Sequence, residues 1–285
     1  MIRRSAAVAR SGAASGAVDA TACETSPYKR LKRARIEHDS PVAHAVGLVK
    51  AALISAENEK VAAGQFKYLK GAVKFHGLYM PQVTALYRSL HAECAEILHS
   101  SRDAGLPGAF TLALLSDPYH ESKMFGIYFA QQYMLDDFRG NPELLAMFGP
   151  AFDAGHVAEW STCDTLCGKI LSKLVAPDTV NAERCARYLA TWQHAPTLWQ
   201  RRAACVAMVP IAKHGDGNFA GFLELALGIC GSAVKDPERF AQLGVGWLLR
   251  ELALADAPAV SQFLVDNKQY MSAEAVRSAR EKVRV

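Results

Sequence analysis

The stretch "DPYHESKMFGIYFAQQY" (residues 117–133) shows the pattern that decides the fold. Asp117 and Pro118 are residue types that open helices, as a cap and a first-turn proline. Behind them, apolar residues recur three and four positions apart, which is the spacing of one face of an α-helix. The stretch therefore predicts a helix that begins at a capping turn and packs one side against other elements.

The same pattern runs from Pro41 almost to the end of the chain. Turn-forming residues interrupt it often enough to leave helices of roughly 10 to 20 residues, and alternating β-branched runs are few. Landmark residues recur at intervals of about 40 residues: His120-Glu121, Asp164, Arg202 and Trp247. The sequence thus predicts an all-α fold, a HEAT-like helical repeat solenoid with a concave face where a site is expected.

The composition, the cysteine spacing and the distribution of apolar residues limit the classes of protein to which the chain can belong. Of the 285 residues, 51% are hydrophobic, which is enough to bury a large core. The seven cysteines show no repeated spacing and follow no apolar signal peptide, so we expect free thiols in a reducing compartment. No window contains eighteen uncharged apolar residues in a row, and the sequence predicts no membrane span.

Residues 1–40 are predicted to be a disordered basic leader, and residues 41–285 the helical domain. The leader holds eight Lys and Arg against four Asp and Glu, whereas the rest of the chain is balanced at 24 of each. "KRLKRAR" (29–35) predicts a nuclear localisation signal. The acid-free "MIRRSAAVAR" (1–10) is also compatible with a mitochondrial presequence. The third interpretation is a solvated run of charges that carries no targeting signal. A nucleic-acid-binding domain would therefore need a local basic face.

A dense cluster of chemistry-bearing residues lies in "EWSTCDTLCG" (159–168). Trp160 and Asp164 are one turn apart and point to the same side of a helix, either as a buried tryptophan with a salt-bridged aspartate or as an aromatic wall beside a carboxylate. Cys163 and Cys167 share a face, but a structural zinc needs four ligands and only His156 is close. We predict no metal site and no cofactor, and assign the two thiols to the core.

Two further stretches carry cations beside aromatic residues. In "TLWQRRAACV" (197–206), the adjacent Arg201 and Arg202 cannot both face the same way on a helix, so one can project onto the concave face. In "GVGWLLREL" (244–252), Trp247 and Arg250 lie one turn apart, which pairs an aromatic surface with a cation that can bind a phosphate through two hydrogen bonds. Each stretch alone is also compatible with packing or a surface salt bridge, for example through Glu251.

Taken together, the chain from about Phe66 to about Lys282 resembles the DNA alkylation repair family of HEAT-like glycosylases, the AlkD-like proteins. Five marks in the family's order carry the resemblance: "YLKGAVKFHGLYMP" (68–81), "HESKMFGIYF" (120–129), "WSTCD" (160–164), "LWQRRAACV" (198–206) and "VGWLLREL" (245–252). The sequence departs from the family at Thr84, where many members have a basic residue, which puts a phosphate contact from that turn in doubt.

The resemblance implies roles for named residues. Asp164 would be the catalytic carboxylate, Arg202 the active-site arginine, and Trp160 and Trp247 the aromatic walls beside the lesion. Arg250 would contact a phosphate of the DNA, and Arg201, next to Arg202 in the chain, is predicted to bind DNA as well. The implied activity is that of a DNA glycosylase that removes N3- or N7-alkylated purines, with duplex DNA as its partner and a monomer as the working unit. The alternatives are a noncatalytic nucleic-acid-binding module and a protein-binding solenoid.

Overall fold

The structure is a computed structural model that describes residues 40–100, 103–140, 142–177 and 181–283. Within these ranges the chain is α-helical, with short 3-10 segments and a π-helical segment at Cys167–Leu171. Pairing between extended segments is limited there to an isolated bridge between Lys74 and Tyr119. The first helix begins at Pro41, capped by the Ser40 hydroxyl, which accepts from the Ala43 amide. The predicted leader therefore falls outside the described residues, apart from Ser40.

Fifteen α-helices make up the described chain. They are α1 (Pro41–Ser55), α2 (Glu59–Tyr68), α3 (Met80–His99), α4 (Leu106–Ser116), α5 (His120–Tyr133), α6 (Leu135–Gly140), α7 (Gly149–Asp153), α8 (Trp160–Leu166), α9 (Ser172–Leu174), α10 (Ala182–Thr191), α11 (Leu198–Val206), α12 (Phe222–Ala233), α13 (Arg239–Leu252), α14 (Ala257–Asn267) and α15 (Ala273–Arg280). Four 3-10 helices lie between them, at Pro142–Met147, Trp192–His194, Val209–Gly217 and Lys268–Tyr270.

The helices pack in two layers. One layer, here called layer A, contains α3, α5, α8, α11, α13 and α15, each packed on the next. Their first residues, Met80, His120, Trp160, Leu198, Arg239 and Ala273, follow one another at intervals of about forty residues. The helices between them, chiefly α1, α4, α7, α10 and α12, pack behind layer A. The predicted all-α helical repeat is confirmed, because a helix of layer A recurs at each interval.

The predicted start of α5 at Pro118 is wrong by two residues, because the helix begins at His120. Asp117 and Pro118 precede α5 without forming part of it: the Asp117 carboxylate accepts from the Tyr119 amide, and the Pro118 carbonyl accepts from the Lys74 amide. In the same way, the Asp236 carboxylate accepts from the Glu238 amide one residue before α13 begins. Aspartate stabilises a turn by the same hydrogen bond with which it caps a helix, so its position alone does not fix the first helical residue.

The core is continuous between the layers. Its largest side chains are phenylalanines, among them Phe110, Phe125 and Phe129, and the rings of Phe110 and Phe129 lie 4.7 Å apart edge to face. At the C-terminal end, α13 and α15 pack closely at Gly246. A Cβ atom added there would lie 2.7 Å from the Ala275 carbonyl oxygen, so the close contact requires glycine. None of the helices in the described ranges combines the length and the apolar character needed to cross a bilayer.

Candidate active site

Helix α8 begins at the residues that the sequence singled out. The carboxylate of Glu159 caps it by accepting from the amides of Ser161 and Thr162, so Trp160 is the first helical residue. Glu159 is almost fully buried, and burial raises the pKa of its carboxyl group. The cap fixes the start of α8, and with it the positions of Trp160 and, one turn later, Asp164.

Asp164 and Arg202 form a bidentate ion pair between neighbouring helices of layer A. Arg202 Nε donates to Asp164 Oδ1 at 2.9 Å, and its Nη2 donates to Oδ2 at 2.8 Å. The remaining terminal nitrogen, Nη1, donates to the Phe240 carbonyl at 2.7 Å. Burial alone would lower the pKa of Arg202, but the hydrogen bonds and charge of Asp164 outweigh it and raise that pKa above its usual value. The guanidinium therefore stays charged and holds the carboxylate in one orientation.

Arg202 and Asp164 differ in how much of each side chain is exposed to solvent. The Arg202 side chain is 7% exposed, whereas that of Asp164 is 19% exposed. The arginine thus lies beneath the surface, and part of the carboxylate faces open space. A fixed, partly exposed carboxylate is the arrangement that can act on a bound cation.

That open space is a cleft of about 590 Å³ along layer A. Trp160 forms one wall, and the Tyr68 ring stands edge-on to it with the ring centroids 5.9 Å apart. The lining residues come from α3, α5, α8, α9 and the segment between α8 and α9: Met80, Tyr128, Gln131, Trp160, Ser161, Asp164, Thr165, Gly168, Lys169 and Lys173. The structure therefore brings Trp160, Asp164 and Arg202 together at one cleft.

The predicted DNA-contacting residues lie elsewhere on layer A. Trp247 is partly buried and packs against the core in α13. Arg250, on the same helix, donates from Nε to Glu251 at 3.0 Å and from Nη1 to Glu281 at 3.1 Å. Neither residue lines the cleft, and their contact with DNA stays a prediction.

The two adjacent arginines of α11 diverge, as their positions on a helix require. Arg202 turns to Asp164, while Arg201 Nε donates to Asp236 at 2.6 Å and its Nη1 to the carbonyls of Ala195 and Pro196. The Arg201 side chain has three polar partners, and it would have to exchange at least one of them to bind a phosphate. Its assignment to DNA binding also stays a prediction.

The sequence analysis missed two lysines of the cleft, Lys169 and Lys173. They follow α8 through Cys167–Leu171, which winds as a π-helix, with the Ser172 amide donating to the Cys167 carbonyl five residues back. A π turn inserts one residue into the helical repeat, so the face of Asp164 continues at positions 169 and 173 instead of 168 and 172. The sequence gives no sign of this extra residue. In a regular α-helix, both lysines would lie on a different face from Asp164.

His120, the first residue of α5, supports the cleft from behind. Its Nε2 lies 3.0 Å from the hydroxyl of Ser161, a cleft residue, and its ring lies 5.0 Å from that of Phe75. Burial, with a smaller contribution from the charge of Lys123, lowers the pKa of His120 to about 4. The imidazole is therefore neutral near pH 7, and its contact holds the Ser161 hydroxyl in position.

Glu121, in "HESKMFGIYF" (120–129), binds the backbone of "YLKGAVKFHGLYMP" (68–81). Its fully buried carboxylate accepts from the amides of His76, Gly77 and Leu78, at 2.9 to 3.1 Å. Gly77 has a φ of +92°, and a Cβ atom there would lie 2.1 Å from the Asn58 carbonyl oxygen, so only glycine fits. This contact holds the loop between α2 and α3 against the start of α5, beside the cleft.

Cys163, in α8, and Cys167, the first residue of the π-helical segment after it, are buried thiols. The Cys163 thiol donates to the Trp199 carbonyl at 3.4 Å, and burial raises its pKa well above the usual value. Within the described residues, no group of three or more His, Cys, Asp or Glu side chains is arranged to hold a metal ion. The two thiols contribute to packing between α8 and α11.

Comparison with known proteins identifies the family of the chain. A family model described as DNA alkylation repair enzyme matches residues 49–283, while none of the curated proteins matches the chain. A solved structure, titled as a predicted DNA alkylation repair enzyme from Enterococcus faecalis, superposes with a TM-score of 0.61 at 18% identity, covering 79% of this chain and 95% of that one. At that identity the superposition supports the fold alone. The family match spans nearly the whole described chain, and the protein therefore belongs to the DNA alkylation repair enzyme family.

Proposed function

We propose that the protein is a DNA glycosylase that releases N3- or N7-alkylated purines from duplex DNA by hydrolysing the N-glycosidic bond, as a step of base excision repair. The observation that carries the proposal is the Asp164 carboxylate, held by buried Arg202 and partly exposed beside Trp160 in an open cleft. A HEAT-like stack whose concave face binds the duplex would present this cleft to the lesion.

The chemistry explains why one carboxylate is sufficient. A purine alkylated at N3 or N7 carries a positive charge and leaves as a neutral base, so no general acid is needed. As the glycosidic bond lengthens, positive charge develops on the deoxyribose, as in other glycoside cleavages. A carboxylate about 4 Å from that charge stabilises it by at most about 4 kcal/mol at an effective dielectric constant of about 20, or about a thousandfold in rate. The charge of Arg202 offsets part of this gain.

Trp160 and Asp164 would act on the same cation from two directions. The face of an indole ring attracts a cationic base by about 0.5 to 2 kcal/mol, depending on how far water is excluded. The carboxylate can also orient the water that attacks the sugar as the base departs. The cleft is open and shallow rather than a deep pocket, which suits a lesion held at the DNA surface.

Release of free base from methylated DNA tests the proposal. Methylated duplex DNA is incubated with the protein, and the released bases are separated and identified, with unmethylated duplex of the same sequence as the control. We expect 3-methyladenine or 7-methylguanine to be released from the methylated duplex alone. Binding of the duplex without any released base would favour the alternative, a noncatalytic nucleic-acid-binding module. Failure to bind the duplex would favour a protein scaffold.

A further inference from the structure

We propose that Lys169 and Lys173 form the phosphate-binding side of the cleft, contacting two phosphates of the damaged strand while Asp164 faces the sugar. The inference deepens the proposed function and rests on it for the identity of the DNA lesion. It assigns the electrostatic contact with DNA to the π-helical segment and α9, which follow α8, rather than to Arg201 and Arg250.

The first observation is the availability of the charges. Both lysines are exposed, and within the described residues neither has a carboxylate at ion-pair distance. In contrast, Arg201 forms an ion pair with Asp236. Arg250 forms ion pairs with Glu251 and Glu281. A phosphate can therefore approach the lysines without displacing an internal anion, whereas it would have to compete with carboxylates for the arginines.

The second observation is the direction of the side chains. The π-helical turn places Lys169 and Lys173 on the face of Asp164, and both line the cleft. Lys169 Nζ lies 5.7 Å from the centroid of the Tyr128 ring, which is also a cleft wall. This cation–π contact stabilises the charged amine and limits its range of motion before DNA binds.

The third observation is the charge balance of the cleft. Asp164 is the one acidic residue among those that line it, and Arg202 neutralises it from beneath. The two lysines therefore give the opening a positive potential even though the domain as a whole is balanced. The local basic face that a nucleic-acid-binding domain requires is present here.

The experiment measures how DNA affinity depends on salt. The probe is a fluorescent duplex with one tetrahydrofuran abasic-site analogue, which binds without being cleaved, titrated between about 50 and 200 mM salt. For the variant with Lys169→Ala and Lys173→Ala we expect weaker binding and a slope of log affinity against log salt that is smaller by about two units. Lys169→Arg with Lys173→Arg should restore the slope.

The control removes the same charge elsewhere. Lys213 and Lys268 are exposed, and neither lines the cleft. Their double alanine variant should keep the wild-type slope. An unchanged slope in the Lys169 and Lys173 variant, or an equal decrease in the control, would overturn the proposal. Base release by the wild-type protein is measured in parallel. If the slopes are as expected but no base is released, the glycosylase activity is refuted and the phosphate contact stands. If base is released but the slope of the Lys169 and Lys173 variant is unchanged, the phosphate contact is refuted and the glycosylase activity stands.

Discussion

The cleft at α8 and the C-terminal surface of α13 and α15 both pair arginines with carboxylates, but with opposite consequences. At the cleft, one buried guanidinium binds both oxygens of one aspartate and leaves that aspartate facing open space. At the C-terminal surface, Arg250 is 28% exposed and shares its donors between Glu251 and Glu281, while Lys282 also binds Glu251. The first arrangement orients a charge for use, and the second neutralises charges where two helices meet.

The largest expected effect is that of removing the carboxylate charge of the cleft. For Asp164→Asn we expect single-turnover base release to fall by up to about a thousandfold, because the carboxylate no longer stabilises the sugar cation. DNA affinity should stay similar or rise, since an anion is removed beside the phosphates. Asp236→Asn is the matched control, because Asp236 is also a buried partner of an arginine but lies outside the cleft. Equal loss of rate in both variants would remove Asp164 from the catalytic role.

Arg202→Met tests whether the cleft pair also holds the fold. The substitution leaves the Asp164 carboxylate without its partner between packed helices, and we expect the free energy of unfolding in urea to drop by about 3 to 5 kcal/mol. The double variant Asp164→Leu with Arg202→Met should recover much of that loss, because no unpaired charge remains. A single variant as stable as the wild type would show that the pair is dispensable to the fold.

The pH dependence of stability tests the buried side of the cleft. The pKa of His120 is about 4 in the folded protein, against 6.5 for an ordinary histidine, so between these values the unfolded chain binds the additional proton. The stability from this group is therefore complete above pH 6.5 and is lost as the pH falls towards 4, by up to about 3 kcal/mol. His120→Gln keeps a polar contact for Ser161 but does not titrate. Its unfolding free energy should fall less steeply over this range, and an identical slope would contradict the burial of a neutral imidazole.

A smaller effect is expected at the C-terminal surface. Arg250→Ala removes a partly exposed pair whose contribution to stability is typically about 0 to 1 kcal/mol. If the ion pairs with Glu251 and Glu281 persist when DNA binds, the salt slope should change by less than the unit expected for a lost phosphate contact. A full unit of change would show that Arg250 leaves its carboxylates for a phosphate, as the family resemblance implies, and would make the two regions alike.

The smallest effect on catalysis is expected from the basic leader. We propose that residues 1–40 carry a nuclear address, because "KRLKRAR" (29–35) concentrates five of the leader's eight basic residues. Removing the leader should leave base release unchanged and should move a fluorescently tagged protein out of the nucleus. Loss of mitochondrial accumulation instead would support the alternative address. A folded truncation without excision activity would place the leader in the DNA-binding surface.

The sequence was informative where the relevant spacing is local. The helical period and the position of Trp160 one turn before Asp164 follow from i and i+4 relations along the chain, and the structure agrees with both. The partners of the arginines do not follow from spacing, because Arg201 meets Asp236 and Arg202 meets Asp164 across separate helices. The two lysines escaped notice for another reason, since a single π turn changed the face that residues 169 and 173 occupy.

The role of Asp164 is tested most directly by a stable mimic of the sugar cation. Two duplexes are compared, one carrying a cationic iminosugar in place of the damaged nucleotide and the other a neutral tetrahydrofuran of the same shape, with both affinities measured at one salt concentration. The wild-type protein should bind the cationic duplex more tightly, by at most about a thousandfold, and Asp164→Asn should lose that preference. Equal affinities in the wild type, or a preference that survives in Asp164→Asn, would contradict a carboxylate acting on the sugar.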